Sequence, residues 1–163
     1  MDKIIYLPIG IIHSPFEEPK GVPIQGAADH RAEAVVEIFP EFAEGLADLD
    51  EFSHIILIYH FHKSKNYKLK VTPYLDTIER GVFATRAPSR PNAIGLTVVR
   101  LLKIEKNRIY FCNADMIEGT PILDIKPYIP DVDVQQVQKI GWLTGKVHRM
   151  ETTRDDSRFR AKK

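Results

Sequence analysis

Cysteine is nearly absent from this chain of 163 residues, in which Cys112 is the only one. A single cysteine excludes an internal disulfide and a zinc site built from several thiolates. It also suits a reducing compartment, so we expect a cytoplasmic protein. Apolar runs are short, and none reaches the roughly 18 residues of a membrane span. The start of the chain contains Pro8 and lacks the small-residue cleavage site of a signal peptide. We therefore expect no membrane association.

A large net charge is also missing, because the formal charge at pH 7 is only +1. This value argues against a uniformly basic nucleic-acid binder. The charge is uneven, however: residues 146–163 hold seven Lys or Arg and three Asp or Glu, a local +4 that leaves −3 for residues 1–145. A basic C-terminal tail of this kind is either a solvated terminus or a salt-sensitive contact for phosphates.

Several catalytic signatures are absent. The sequence contains no G-x-G-x-x-G after a strand, no G-x-x-x-x-G-K, no G-x-S-x-G and no H-E-x-x-H. His60 and His62 would share one face of a strand, but Lys65 and Asn66 occupy the places where a cupin-like metal site needs a carboxylate. We expect neither a Rossmann cofactor site nor a bound metal.

Strand signals dominate the rest of the sequence. The segment 53–62 is strongly β-prone, and two runs of strand formers around "EKN" at 105–107 predict a hairpin. Pro40 suits the first position of a short helix, and a second short helix is expected before Gly141. Because strands follow strands with little helix between them, we expect a mainly β protein with a small antiparallel β-barrel over residues 1–145.

The segment "TRAPSRPNAIGLTVV" at 85–99 combines two arginines with two prolines ahead of a strand. Pro88 and Pro91 limit the conformations of the loop, so Arg86 or Arg90 can be held ready for an anion, although solvated arginines are the common alternative. Polar residues also alternate along "LDIKPY" at 123–128. Together the two segments offer cations, carboxylates and turn amides, which a zwitterion carrying a nucleoside requires.

Four segments resemble the TsaA-like family, represented by TrmO, the tRNA N6-threonylcarbamoyladenosine methyltransferase. They are "VPIQG" (22–26), "LDEFSHIILIYHFH" (49–62), "TRAPSRPNAIGLTVV" (85–99) and "EGTPILDIKPYIP" (118–130). The resemblance implies a β-barrel that binds S-adenosylmethionine without a Rossmann fold. It further implies a homodimer with cofactor sites near the subunit interface, and a substrate adenosine next to the anticodon of tRNA.

The resemblance also implies roles for individual residues. The cofactor contacts carried over by position are Pro23, Ile24, Gln25, His62, Lys63, Arg86, Leu96, Glu118, Gly119, Thr120 and Pro121. The residues expected to meet the substrate are Arg90, Asn92, Asp124, Lys126 and Tyr128. His62 is the candidate catalytic base, because among these side chains it alone titrates near neutrality.

The chain departs from the family pattern at several positions. It has Ala87 and Ala93 where members often carry Ser and Pro, Ile24 where bacterial members often carry Arg, and Glu118 where they carry Asp. It also resembles a short form without the C-terminal domain of bacterial members. Three alternatives to tRNA methylation stay open: a methyltransferase for a small molecule or protein, an RNA-binding barrel without catalysis, and a metal-dependent barrel enzyme that uses His60 and His62.

Overall fold

The structure, a computed structural model, describes residues 3–24 and 32–159. Eight strands are present in this part of the chain: β1 (Gly10–His13), β2 (Glu33–Ile38), β3 (His54–His60), β4 (Lys70–Val71), β5 (Arg80–Gly81), β6 (Ile94–Glu105), β7 (Arg108–Cys112) and β8 (Thr120–Pro127). Six of them close into an antiparallel barrel in the order β1-β2-β7-β6-β3-β8, with β8 pairing back to β1. Strands β4 and β5 form a separate two-stranded sheet. The predicted antiparallel barrel is confirmed.

The barrel closes because its strands alternate between an apolar inner face and a more exposed outer face. Along β6, for example, every second residue from Gly95 to Leu101 is buried and the intervening residues are exposed. The large, fully buried side chains of the barrel cluster are Ile12, Val36, Ile38, Ile55, Leu57, Val99, Ile109, Phe111 and Ile122, whereas Val82 is buried in a small separate cluster. The core of the molecule is therefore the barrel interior, and the outer face is available for other contacts.

Helical structure is sparse among the described residues. The one α-helix, α1 (Pro130–Asp133), is a single turn, and the short 3-10 helices are Pro40–Leu46, Leu49–Glu51, Val82–Ala84, Gly141–Leu143 and Val147–Arg149. The expected helix at Pro40 is present as a 3-10 helix. The helix expected before Gly141 is not found, because the chain has no helical structure between Val134 and Ile140.

Residues 141–159 pack back against the loops between β4 and β6. The indole Nε1 of Trp142 donates to the carbonyl of Ala84 at 2.8 Å. Lys146 Nζ lies 3.1 Å from a carboxylate oxygen of Asp76, whose side chain is only 5% exposed. Arg158 donates to the carbonyl of Pro73 at 2.7 Å. The basic C-terminal segment thus has fixed contacts with the barrel and its loops.

Candidate functional site

A cavity of about 350 Å³ lies at one end of the barrel. Its wall combines the end of β3 and the following turn, the start of β6 and the loops 19–24, 85–90 and 115–120. Asp155, Ser157 and Phe159 of the C-terminal segment complete the wall. Residues from distant parts of the chain meet here, as in small-molecule sites, which are concave and in the range of about 300–1,000 Å³.

The C-terminal part of this wall is joined to the loop 19–24 by backbone hydrogen bonds. The amide of Gly21 donates to the carbonyl of Asp155, and the amide of Asp155 donates to the carbonyl of Val22, both at 2.9 Å. Pro23 and Arg154 form an antiparallel bridge next to them. The loop that carries Pro23 and Ile24 is therefore positioned by the C-terminal segment.

Gly95 leaves the space that two aromatic rings of the cavity occupy. A Cβ atom at this position would collide with Cε2 of Tyr59 and would lie 2.5 Å from Cζ of Tyr59 and 2.9 Å from Cζ of Phe61. The two rings meet edge to face with centroids 5.3 Å apart. Both rings line the cavity. The absence of a side chain at Gly95 therefore lets these two rings approach the backbone closely.

Opposite charges lie next to the buried Tyr59 hydroxyl. Burial raises the pKa of Tyr59 well above its ordinary value, Asp115 raises this pKa further and Arg86 lowers it. Thr97 donates a hydrogen bond of 2.8 Å to Asp115. Arg86 and Asp115 both line the cavity, so its wall contains a cation and an anion close to one aromatic ring.

His62 has the properties of a neutral imidazole facing a ligand. Its Nδ1 is buried and makes no hydrogen bond with the described residues. Burial lowers the pKa of His62 from its ordinary value, and the charges of Lys63 and His60 lower it further. A buried polar atom without a partner in a cavity is the feature that a bound ligand would satisfy.

Most of the predicted cofactor contacts meet at this cavity. Those that line it are Pro23, Ile24, His62, Lys63, Arg86, Leu96 and Thr120. Gln25 lies outside the described residues. Gly119 is adjacent, because a Cβ atom placed on it would be 4.0 Å from Nε2 of His62. Pro121 follows Thr120 in β8 and pairs with Ile11 of β1.

Glu118 has an interaction of its own. Its carboxylate accepts hydrogen bonds from the Ser14 amide at 2.7 Å and from Nδ1 of His13 at 3.0 Å. Burial raises the pKa of Glu118, but these two hydrogen bonds outweigh it and hold the pKa below its ordinary value. The Glu118 side chain thus connects the turn before β8 to the end of β1 and the loop that follows it. Its carboxylate makes its hydrogen bonds in this contact.

The predicted substrate residues are dispersed. Arg90 lines the cavity, but its guanidinium donates to the carbonyls of Thr85 and Ala87 at 3.1 and 3.2 Å. Arg90 therefore fixes the loop that carries Arg86. Asp124 and Lys126 pair with each other at 2.8 Å on the outer face of β8. Tyr128 packs edge-on against His54, and Asn92 is exposed ahead of β6.

The structure adds site residues that the sequence reasoning missed. Tyr59, Phe61, Asp115, Asp155 and Phe159 all line the cavity. Tyr59 and Phe61 alternate in "YHFH", a signal that was available in the sequence. The positions of Asp155 and Phe159 depend on the return of the C-terminal segment to the barrel, which no local pattern indicates.

No group of three His, Cys, Asp or Glu side chains within residues 3–24 and 32–159 is arranged to hold a metal ion. Across the same ranges, no helix is long and apolar enough to span a membrane.

Comparison with known proteins gives three consistent matches. The family model described as the tRNA-methyltransferase O N-terminal domain matches residues 11–134. A probable S-adenosyl-L-methionine-binding protein of Pyrococcus abyssi is 58% identical over 156 residues, which cover 96% of this chain and 85% of that protein. A tRNA (adenine(37)-N6)-methyltransferase of Mus musculus is 45% identical over 136 residues, which cover 79% of this chain and 32% of that protein.

Solved structures agree with these matches. The crystal structure of TrmO from Pseudomonas aeruginosa has a TM-score of 0.73 and 36% sequence identity, and the match covers 86% of this chain and 63% of that chain. This chain thus spans somewhat less than two thirds of the solved protein and about a third of the mouse enzyme.

Proposed function

We propose that this chain, which belongs to the tRNA-methyltransferase O N-terminal domain family, is an S-adenosylmethionine-dependent tRNA methyltransferase. We further propose that its acceptor is N6-threonylcarbamoyladenosine next to the anticodon. The observation that carries the proposal is the cavity itself, because seven of the residues predicted to contact the cofactor are among those that line it.

The residues present fit the chemistry of the cofactor. Arg86 and Lys63 place positive charge at the wall, where a carboxylate would be favoured. Asp115 and Asp155 offer carboxylates for an ammonium group and ribose hydroxyls. Aromatic and aliphatic side chains next to them suit the flat face of an adenine. The unpartnered Nδ1 of His62 leaves a polar atom that a ligand can satisfy.

The reaction needs alignment more than a covalent catalytic group. When bound, S-adenosylmethionine supplies a methyl group activated by a sulfonium centre. The residues of the cavity have to orient the reactants and exclude water, which accounts for the lack of a catalytic triad in the sequence. Tyr59, Phe61 and Phe159 provide the apolar surface that keeps such a site dry.

His62 is the candidate base for the acceptor nitrogen. Because its pKa is lowered, the imidazole is neutral at pH 7 and can accept a proton. Protonation at lower pH would remove this capacity. We therefore propose that His62 takes the proton that the N6 nitrogen loses.

We also propose that the protein functions as a homodimer through the outer face of β3 and β6. On β6, Ile94, Leu96 and Val98 are 38%, 53% and 37% exposed. They pair with β3, where Ile56 and Ile58 are half-buried. An apolar stripe on the outside of a barrel is typical of a protein interface. Leu96 also lines the cavity, so this interface would lie beside the cofactor.

Transfer of a labelled methyl group tests the proposed function. Purified protein is incubated with methyl-labelled S-adenosylmethionine and tRNA that carries or lacks the threonylcarbamoyl group. We expect label only in the tRNA that carries it, and a large loss of cofactor affinity in Arg86→Ala measured by calorimetry. Arg108→Ala is the matched control, because Arg108 at the start of β7 pairs with Glu37 of β2 and is absent from the cavity wall.

The results separate the open alternatives. Cofactor binding with label in neither tRNA would reject the proposed acceptor and favour a small-molecule or protein substrate. RNA binding without any cofactor uptake would indicate a barrel that binds RNA without catalysis.

A further inference from the structure

A second cavity, of about 470 Å³, adjoins the first. Both cavities are lined by Ile24, Tyr74, Thr85, Arg86 and Phe159. Among these shared residues, the rings of Tyr74 and Phe159 meet edge to face, with centroids 5.1 Å apart. A ligand in the second cavity would therefore lie directly beside a ligand in the first. Methyl transfer requires this arrangement, because reacting atoms must come within about 3–3.5 Å of each other.

The outer part of the second cavity presents two aromatic rings. Phe83, in the turn Val82–Ala84, is 77% exposed although its neighbour Val82 is buried. Trp142 lies beside this turn, because its Nε1 donates to the carbonyl of Ala84 at 2.8 Å. Both residues line the second cavity and neither lines the first. An aromatic side chain that is this exposed next to a cavity is a suitable stacking surface for a nucleobase.

The Trp142 ring is held in place before any ligand arrives. Lys146 Nζ lies 5.8 Å from the ring centroid, in a cation–π contact. The same ammonium group pairs with Asp76 at 3.1 Å, and Asp76 also accepts hydrogen bonds from Arg80. Burial raises the pKa of Asp76, but the hydrogen bond from Lys146, the largest influence, and that from Arg80 hold the pKa far below its ordinary value. A stacking surface fixed in this way loses little side-chain entropy on binding.

A run of lysines borders the same region. Residues 63–70, "KSKNYKLK", contain four lysines and no acidic residue. All four lysines are exposed. The run packs along residues 82–89: the amide of Val82 donates to the carbonyl of Leu69 at 2.9 Å, and the amide of Lys68 donates to the carbonyl of Ser89 at 3.3 Å. Lysines at the edge of an aromatic cavity complement the phosphates of a single-stranded nucleic acid.

From these observations we infer that the second cavity receives the base to be methylated, which is unstacked from a single-stranded RNA loop and packs on Trp142 and Phe83, with its N6 nitrogen directed toward the first cavity, where His62 lies. Lys65, Lys68 and Lys70 contact the adjoining phosphates. The inference rests on the proposed function, because it assigns the first cavity to the cofactor and the second to the acceptor. A single-stranded loop is a favourable source of the base, since its bases are not paired and little energy is needed to unstack them.

Trp142 is the only tryptophan in the sequence, so its fluorescence reports on the second cavity directly. The protein is first saturated with S-adenosylhomocysteine and then titrated with an anticodon stem-loop RNA that carries threonylcarbamoyladenosine. We expect the RNA to quench Trp142 emission. Phe83→Ala should weaken RNA binding and raise KM by about 5- to 150-fold, the range that removal of one stacking ring produces. Its affinity for S-adenosylhomocysteine should be unchanged.

Ile78→Ala is the matched control, because Ile78 is 57% exposed and lines neither cavity. Lys68→Ala with Lys70→Ala should flatten the dependence of log affinity on log salt by about 0.7 per lysine. The inference is overturned if wild-type protein methylates the RNA but shows no quenching and no effect of Phe83→Ala. It is also overturned if S-adenosylhomocysteine alone quenches Trp142 and binds more weakly to Phe83→Ala, which would place the cofactor in the second cavity. Failure of the wild-type protein to bind S-adenosylhomocysteine would overturn the proposed function and this inference with it.

Discussion

Gly95→Ala is a small change that tests whether the aromatic part of the first cavity is built as described. The added Cβ would lie 2.5 Å from Cζ of Tyr59, whereas carbon atoms in contact are about 3.5–4.0 Å apart. The ring therefore has to move by roughly 1 Å or more. Tyr59 is only 5% exposed and packs against Phe61, so it has little space in which to move.

The expected cost follows from this crowding. Overpacking of a filled core destabilises proteins by about 1–3 kcal/mol. In a protein of this size each kcal/mol lowers Tm by about 2–4 °C, so we expect a decrease of about 2–12 °C. We also expect weaker binding of S-adenosylhomocysteine in calorimetry, because Tyr59 and Phe61 both line the cavity.

Gly45→Ala is the matched control. No heavy atom lies within 4 Å of a Cβ at this position, so this variant should be as stable as wild type or slightly more stable. A double-mutant cycle adds a second check. In the background of Tyr59→Leu the cost of Gly95→Ala should shrink, because the colliding ring is gone. A Gly95→Ala variant with wild-type Tm and wild-type cofactor affinity would refute the packing argument.

Three further predictions concern other parts of the molecule. Burial lowers the pKa of His62, so as pH falls below about 6.5 the imidazole takes up a proton in the unfolded protein before it does so in the folded protein. The free energy of unfolding should therefore decrease below that pH. In denaturant titrations, His62→Gln should make this decrease smaller. Asp76→Asn should loosen residues 141–159, because Lys146 and Arg80 lose their shared carboxylate, and amide hydrogen exchange should speed up there and remain unchanged in the barrel. Val98→Glu places a charge on the β3–β6 face and should produce monomers in analytical ultracentrifugation. Val132 is also a valine, is 65% exposed and lies on α1, away from that face, so Val132→Glu should leave the dimer intact.

Each of these three has a result that would contradict it. If the free energy of unfolding depended on pH in the same way for wild type and His62→Gln, the claim of a buried neutral imidazole at position 62 would be wrong. Unchanged exchange in Asp76→Asn would show that other contacts hold the C-terminal segment. A Val98→Glu protein that sediments like wild type would exclude the β3–β6 face as the interface.

The barrel was predictable because its signals are local. The run of strand formers in β3 and the hairpin at Lys106 and Asn107 depend on neighbours in sequence. The segment 81–85, "GVFAT", contains strand formers but includes the 3-10 helix Val82–Ala84. There the burial of Val82 against Val71 and Ala87 decides the conformation, and these contacts are not visible in the segment itself.

The candidate site was predictable only in part. The segment around Arg86 and Arg90 was recognised, but the sequence did not reveal that Arg90 binds backbone carbonyls of its own loop and so positions Arg86. The contribution of the C-terminal segment was not predictable either. It depends on long-range pairs such as Lys146 with Asp76, in which each residue alone is an ordinary surface charge.

This return of the C-terminal segment also changes what its deletion would test. If residues 146–163 contacted only phosphates, their removal would weaken tRNA binding and spare the cofactor. Asp155, Ser157 and Phe159 line the first cavity, however, so the truncation should reduce cofactor affinity as well. Substitution of single basic residues is therefore the better test of RNA contacts.

The most direct test of the central claim is a crystal structure of the protein with S-adenosylhomocysteine bound. We expect the ligand in the first cavity, in contact with Pro23, His62, Arg86 and Thr120. Density for the ligand against Phe83 and Trp142, or on the outer face of the barrel, would contradict it.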